Sequence, residues 1–100
     1  ENAAYPSGLC AERVALFAAK STYPDTKIDA LALAAKPESE NDYVSAGSCG
    51  GCRQVMIEYE HEQKQPYYIL LRLPKGKVMK INSASDYLPL SFNSSSLLDY

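Results

Sequence analysis

Residues 45–64, "SAGSCGGCRQVMIEYEHEQK", place two cysteines, Cys49 and Cys52, at the beginning of a predicted helix. From Gly50 to Lys64 the apolar side chains recur at helical spacing, and one stripe contains Cys52, Val55, Met56 and Tyr59. Residues three apart lie on one helix face, so Cys49 and Cys52 can bind one ion from the same side. A Cys-x-x-Cys pair is compatible with a redox pair, half of a structural zinc site, or part of a catalytic zinc site.

The segments around this helix predict an α/β domain. Residues 9–20, "LCAERVALFAAK", predict a helix that is apolar around almost its whole circumference, which indicates burial in a core or against another subunit. Residues 27–35, "KIDALALAA", are apolar on both faces, as is typical of a central strand covered on each side. Residues 66–73 and 77–81 predict two further strands, joined by a turn at "PKGK". This order of elements indicates a layered domain with a small mixed sheet.

The composition of the chain excludes several classes of protein. Its 100 residues, 46% hydrophobic and 22% charged, predict one globular domain that spans residues 1–100. A net charge of −2 provides no basic surface for a nucleic-acid backbone, and no apolar run approaches the roughly 20 residues of a membrane span. We therefore expect neither nucleic acid nor a membrane as a partner. Three cysteines cannot all pair with one another, which favours reduced or metal-bound thiols and a cytoplasmic location.

A third thiol, Cys10, falls at the start of the first predicted helix. Helix N-termini lower thiol pKa values, and the resulting thiolates select zinc or iron–sulfur clusters over hard cations. A closed structural zinc site needs a fourth protein ligand, but the single histidine, His61, lies about 13 Å further along the helix than Cys52. Three protein ligands with one open position indicate a catalytic zinc site.

Glu12 is the candidate proton acceptor for such a site. It follows Cys10 by two residues, about 200° around an ideal helix, so it can face a substrate held beside the ion without binding the ion itself. Arg13 and Arg53 can hydrogen-bond the sulfurs and draw off their charge. The simpler interpretations stay open: Cys10 as a buried structural cysteine, Glu12 as an exposed salt-bridging residue, and both arginines as solvated helix residues.

Taken together, the sequences at residues 1–16, "ENAAYPSGLCAERVAL", and 49–56, "CGGCRQVM", resemble the zinc-dependent cytidine deaminases of the homotetrameric, three-cysteine type. "SDYLPLSF" at residues 85–92 is similar to the family's C-terminal Leu-Pro-x-x-Phe segment, so the resemblance covers nearly the whole chain. It implies an enzyme that converts cytidine or deoxycytidine to uridine or deoxyuridine plus ammonia, in pyrimidine salvage. It also implies a Zn²⁺ cofactor, a small-molecule nucleoside substrate and a homo-oligomer, either a tetramer or a dimer.

The resemblance implies a role for each matching residue of the zinc site. Cys10, Cys49 and Cys52 match the zinc ligands. Glu12 matches the proton shuttle for attack of activated water at C4 of the pyrimidine. Arg13 matches the arginine that hydrogen-bonds the ligand thiolates.

The resemblance also implies three substrate contacts. Glu1 matches a glutamate that holds the ribose 3′-hydroxyl, and the amide of Ala11 would meet the pyrimidine O2. Phe92 aligns with a phenylalanine that covers the base in a neighbouring subunit's pocket. Ser48 stands where the family usually has proline, which would fix φ just before Cys49, and the carbonyl near Gly47 is expected to receive the substrate amino group.

The family fold is a three-layer α/β/α sandwich around a mixed sheet. The family has a helix and two strands before the position of Glu1, so we interpret residues 1–100 as the C-terminal portion of a cytidine deaminase-like catalytic domain that lacks them.

Three alternatives stand beside this interpretation. A deaminase of a related nucleoside, such as a blasticidin-type antibiotic, would share the zinc core. A non-catalytic zinc-binding fragment or redox module would share the cysteines, and Glu12 would then be dispensable. A polynucleotide deaminase would more often have His-x-Glu at the first motif and a basic surface, and this sequence has neither.

Overall fold

The computed structural model describes residue 4 and residues 7–93. Its elements in chain order are α1 (Ala11–Thr22), β1 (Ala30–Leu33), α2 (Gly50–Gln63), β2 (Tyr68–Arg72), β3 (Val78–Ile81) and α3 (Ala84–Tyr87). The predicted α/β class and the order of the first five elements are confirmed. The three-layer arrangement and the missing N-terminal helix and strands stay predictions.

The described strands form one mixed sheet in the order β1-β2-β3. β1 runs parallel to β2, and β2 runs antiparallel to β3. The prediction that β1 is a central strand covered on both faces is wrong for the described part of the chain, where β1 pairs with β2 alone. Leu31 and Leu33 are half-buried while Ala30 and Ala32 are exposed. Because large and small apolar residues alternate, burial of the leucine face removes more apolar surface from water than burial of the alanine face, and it therefore stabilises the fold more.

The hydrophobic core lies between α2 and one face of this sheet. Met56 and Ile57 of α2 pack with Ile69 of β2, and all three are buried. The side chain of Tyr67 lies in the same core, where its hydroxyl donates a 2.7 Å hydrogen bond to the carbonyl of Met56. The helical stripe predicted for residues 50–64 therefore forms the core face of α2, and the helix ends one residue earlier than predicted.

α1 packs on this core through one side only. Leu16 is its buried residue, whereas Val14 and Phe17 remain 50% and 37% exposed. Among the described residues, the core of this chain therefore covers only one side of α1. Burial of the remaining apolar side chains against another subunit stays a prediction.

α3, a single turn that the sequence analysis missed, is held by a buried carboxylate of α2. Glu60 accepts hydrogen bonds of 2.8 Å from Ser83 Oγ, 2.7 Å from the Ala84 amide and 2.7 Å from Ser85 Oγ. Burial alone raises the pKa of Glu60, but the bonds from Ser85, Ser83, Ala84 and the Tyr67 amide outweigh it, and the pKa lies below its ordinary value.

Among residues 7–93, none of the helices combines the length and the apolar character that crossing a bilayer requires.

Candidate metal centre

Two helices begin side by side, and each begins with a cysteine. Cys10 is the N-cap of α1 and Cys49 is the N-cap of α2, both in extended backbone with φ of −68° and −67°. The helices are fixed on each other by Leu16, which enters the core, and by Phe17, whose ring meets that of Tyr59 edge-on at 6.3 Å. The helix N-termini that carry the thiols therefore converge, which is the condition for Cys10 to supply a third sulfur.

The three sulfurs form a cluster of the size that zinc requires. The Sγ atoms of Cys10, Cys49 and Cys52 all lie within 4.8 Å of one another, with 3.9 Å between Cys10 and Cys49 and 3.4 Å between Cys49 and Cys52. Tetrahedral coordination with Zn–S bonds of 2.3 Å places neighbouring sulfurs about 3.8 Å apart. All three cysteines are free of disulfides. This donor set can hold a metal ion, and its softness fits zinc.

No histidine or carboxylate of the described residues joins the cluster as a fourth ligand. His61 is exposed near the far end of α2, as its distance along the helix predicted. The described residues thus supply three candidate ligand atoms, all of them sulfurs.

The buried and exposed sulfurs of the cluster differ in acidity. Burial raises the pKa of Cys52 to about 12, and the neighbouring thiols of Cys49 and Cys10 add to the rise. Hydrogen bonds from the amide and then the thiol of Cys52 lower the pKa of the exposed Cys49. Without a cation, Cys49 is therefore the first of this pair to ionise. A cation bound at the cluster must displace the proton of Cys52.

The two arginines near the cluster have different partners. Arg13 donates from Nη2 to the Cys10 sulfur at 3.8 Å, and its hydrogen bonds to the sulfurs of Cys10 and Cys52 raise the pKa of Arg13. The expectation that Arg53 also bonds the sulfurs is wrong. Its Nε donates to the Ser48 carbonyl at 2.8 Å, and its guanidinium stacks on the ring of Tyr87. One residue after Cys52 the helix has turned by about 100°, which directs Arg53 away from the sulfurs.

A cleft of about 450 Å³ opens beside the sulfur cluster, a size that suits a small-molecule ligand. Cys10, Cys49 and Glu12 share its lining with Ala11, apolar residues of β1, and Gly47. Glu12 is half-buried in the first turn of α1 and does not belong to the sulfur cluster. It therefore lies at the same cavity as the sulfurs without being one of the candidate ligands, as the helical geometry predicted.

Of the residues assigned to substrate binding, Phe92 lies away from this arrangement. Glu1 falls outside the described residues. Phe92 has a 54% exposed side chain and does not line the cleft of its own chain. Its backbone amide donates to Gln54 Oε1 at 3.3 Å, and its carbonyl accepts from Gln54 Nε2. A contact between Phe92 and a neighbouring subunit's pocket stays a prediction.

Tyr87 is a residue near the site that the sequence analysis missed. Its hydroxyl accepts a 2.6 Å hydrogen bond from the amide of Ser48, directly before Cys49. A Cβ atom on Gly47 would lie 3.0 Å from Arg53 Nη2 and 3.3 Å from the Tyr87 hydroxyl, so this backbone approach favours glycine. Ser48 was the feature of the sequence that could have indicated this contact. Serine, unlike proline, has a backbone N–H, and a buried N–H needs an acceptor.

The chain is similar in sequence to known proteins, one of which is similar over almost the whole chain. Over 99 residues, 99% of this chain, the sequence is 33% identical to a protein of Halalkalibacterium halodurans named cytidine deaminase, and the match covers 67% of that relative. No family model matches the chain. No solved structure matches it either.

Proposed function

Because the chain belongs to the cytidine deaminase family, we propose that it catalyses the zinc-dependent hydrolytic deamination of cytidine or deoxycytidine. The products are uridine or deoxyuridine and ammonia, a reaction of pyrimidine salvage. The observation that carries the proposal is the convergence of the Cys10, Cys49 and Cys52 sulfurs beside a cleft that Cys10, Cys49 and Glu12 line.

Cys10, Cys49 and Cys52 hold the zinc ion in this proposal, and the ion supplies the Lewis acidity that activates water at neutral pH. The Glu12 carboxylate would take one proton from that water and deliver it to the ring N3 of the pyrimidine as the water oxygen bonds to C4. It would then pass the second proton of the water to the amino group, so that the C4–N bond breaks, ammonia leaves and the C4 carbonyl forms. Arg13 donates to the Cys10 sulfur and offsets part of the negative charge of three thiolates.

The nucleoside base occupies the cleft between α1 and β1. Ala11 is the first residue of α1, so its amide has no intrahelical partner and is available to the pyrimidine O2. Gly47 lines the cleft beside Cys49, which suits its carbonyl to receive the amino group at C4. Glu1 is assigned to the ribose 3′-hydroxyl.

Residues 1–100 act as the catalytic domain of a homo-oligomer, a tetramer or a dimer. Val14 and Phe17 leave apolar surface on α1, and Phe92 is exposed near the end of the described chain. Contact between subunits would bury these side chains and place Phe92 over the base in a neighbouring cleft. The three free thiols fit a reducing compartment, so the proposed location is the cytoplasm.

The test is deamination by the purified, zinc-loaded protein. Cytidine, deoxycytidine and a blasticidin-type nucleoside are each incubated with the protein, and the deaminated product and ammonia are both quantified. Equimolar uridine and ammonia from cytidine is the expected result. Turnover of the antibiotic nucleoside alone would indicate the related deaminase, and stoichiometric zinc without turnover of any substrate would indicate a non-catalytic zinc-binding fragment.

A further inference from the structure

The segment that leads into Cys49 is held through its backbone by two side chains. Ser48 is 6% exposed, its amide donates to the Tyr87 hydroxyl at 2.6 Å, and its carbonyl accepts from Arg53 Nε at 2.8 Å. The Ser48 hydroxyl is buried and has no hydrogen-bond partner among the described residues. The restraint on this segment therefore acts on the main chain of Ser48.

Tyr87 is itself fixed on the helix that carries two of the sulfurs. The guanidinium of Arg53 lies 4.1 Å from the centroid of the Tyr87 ring, and its Nη1 donates to the Tyr87 carbonyl at 3.2 Å. Tyr87 ends α3, whose beginning is bound by Glu60 of α2. Glu60 therefore binds α2 to α3, and Tyr87 binds α3 to the backbone of Ser48. Ser48 in turn directly precedes Cys49, the N-cap of α2.

Residues 46–49 connect these contacts to the cleft. Ala46, Gly47 and Cys49 line the cleft, whereas Ser48 between them faces Tyr87 and Arg53. The close approach of Gly47 to Arg53 Nη2 leaves little room for the segment to move toward α3. A displacement of Ser48 would move a wall of the cleft and one sulfur together.

We propose that Tyr87 is a positioning residue of the deamination site, whose hydroxyl fixes residues 46–49 through the amide of Ser48. Proline at position 48 would restrain this backbone through its fixed φ and would need no acceptor. Ser48 has a buried N–H instead, and Tyr87 both satisfies it and supplies the restraint. The inference rests on the proposed function, because positioning matters only where Cys49 and the cleft bind zinc and substrate.

The experiment compares Tyr87→Phe with Tyr67→Phe, which removes a tyrosine hydrogen bond of 2.7 Å from the core away from the cleft. For each variant we would measure the thermal midpoint, the rate of zinc release to a chromogenic chelator, and kcat and KM for cytidine. Both variants should lower the thermal midpoint. Tyr87→Phe alone should speed zinc release and reduce kcat/KM, each about 10-fold or more, the usual scale for a residue that orients a metal ligand.

Arg53→Lys provides an independent arm, since lysine keeps the charge but loses the Nε bond to Ser48 and the stacking on Tyr87. It should change zinc release in the same direction, and its effect should be less than additive with that of Tyr87→Phe because both act on one segment.

If Tyr87→Phe does not fold, Arg53→Lys decides the question. Zinc release equal to that of Tyr67→Phe in the folded variants would overturn the proposal. Zinc release can be measured without substrate. If the wild-type protein were inactive toward cytidine, the proposed function would be rejected, and the zinc-release rates would still test the positioning role of Tyr87.

Discussion

The sulfurs of Cys10 and Cys49 lie 3.9 Å apart, although 39 positions separate the two residues and each begins a different helix. Cys52 is on the same helix as Cys49, so the Cys-x-x-Cys pair forms as soon as α2 does. Cys10 joins it only when α1 is docked on α2. Metal binding at this cluster is therefore coupled to the packing of the two helices.

We expect one zinc ion per chain, and we expect its removal by a chelator to lower the thermal midpoint. Replacement of Cys10, Cys49 or Cys52 by serine should each reduce zinc content and stability, because each removes one corner of the site. Metal analysis of protein purified without chelators, together with thermal unfolding of the apo and zinc-loaded forms, tests this expectation. A zinc-free protein with an oxidised Cys49–Cys52 pair would instead support the redox interpretation.

Glu12→Gln should separate the chemistry from the metal site. Glutamine preserves size and helix propensity but cannot accept a proton, so deamination should fall by ~10²-fold or more while zinc content stays near one per chain. Glu38→Gln, at an exposed loop position, is the matched control and should behave as wild type. Wild-type turnover by Glu12→Gln would remove Glu12 from the proposed mechanism.

Phe92→Ala should distinguish a shared active site from a self-contained one. If Phe92 covers the base in a neighbouring subunit, the variant should raise KM for cytidine and leave zinc content unchanged, and the wild type should be a tetramer or dimer by light scattering. Leu90→Ala is the matched control, since Leu90 lies two positions away and is 95% exposed. A fully active monomer at micromolar concentration would contradict the shared site.

The local parts of the fold and site could be predicted from the sequence. Helical spacing located α1 and α2 to within two residues at each end, and the same spacing placed Cys52 on the face of Cys49 and Glu12 away from Cys10. These features depend on helix geometry, which residues close in sequence determine. The convergence of Cys10 with the other thiols requires two helices to pack, and only the resemblance to the deaminase family implied it.

The parts that sequence reasoning missed depend on partners distant in the chain. α3 is a single turn, too short for a periodic pattern, and it forms because Glu60 accepts bonds from its first residues. Arg53 was assigned to the sulfurs because it follows Cys52, whereas its orientation is set by Tyr87, 34 positions later. The position of β1 in the sheet depended on which strands pair with it, and its alternation of leucine and alanine does not specify that.

The hydrogen bonds around Glu60 predict a pH-dependent contribution to stability. The pKa of Glu60 in the folded protein lies below the ordinary value of 4.5, so this carboxylate stabilises the fold above pH 4.5 and the contribution is lost as pH falls through the lowered pKa. Glu60→Gln should cost about 1–3 kcal/mol at neutral pH, because an amide cannot accept all the bonds from Ser83, Ala84 and Ser85. The difference from wild type should shrink as the pH is lowered below 4.5, because protonated Glu60 also loses acceptor capacity. Urea unfolding as a function of pH measures this difference in the free energy of unfolding, and Glu62→Gln, at an exposed position, is the control. A difference between wild type and Glu60→Gln that is constant or grows toward low pH would contradict the stabilising role of the Glu60 carboxylate.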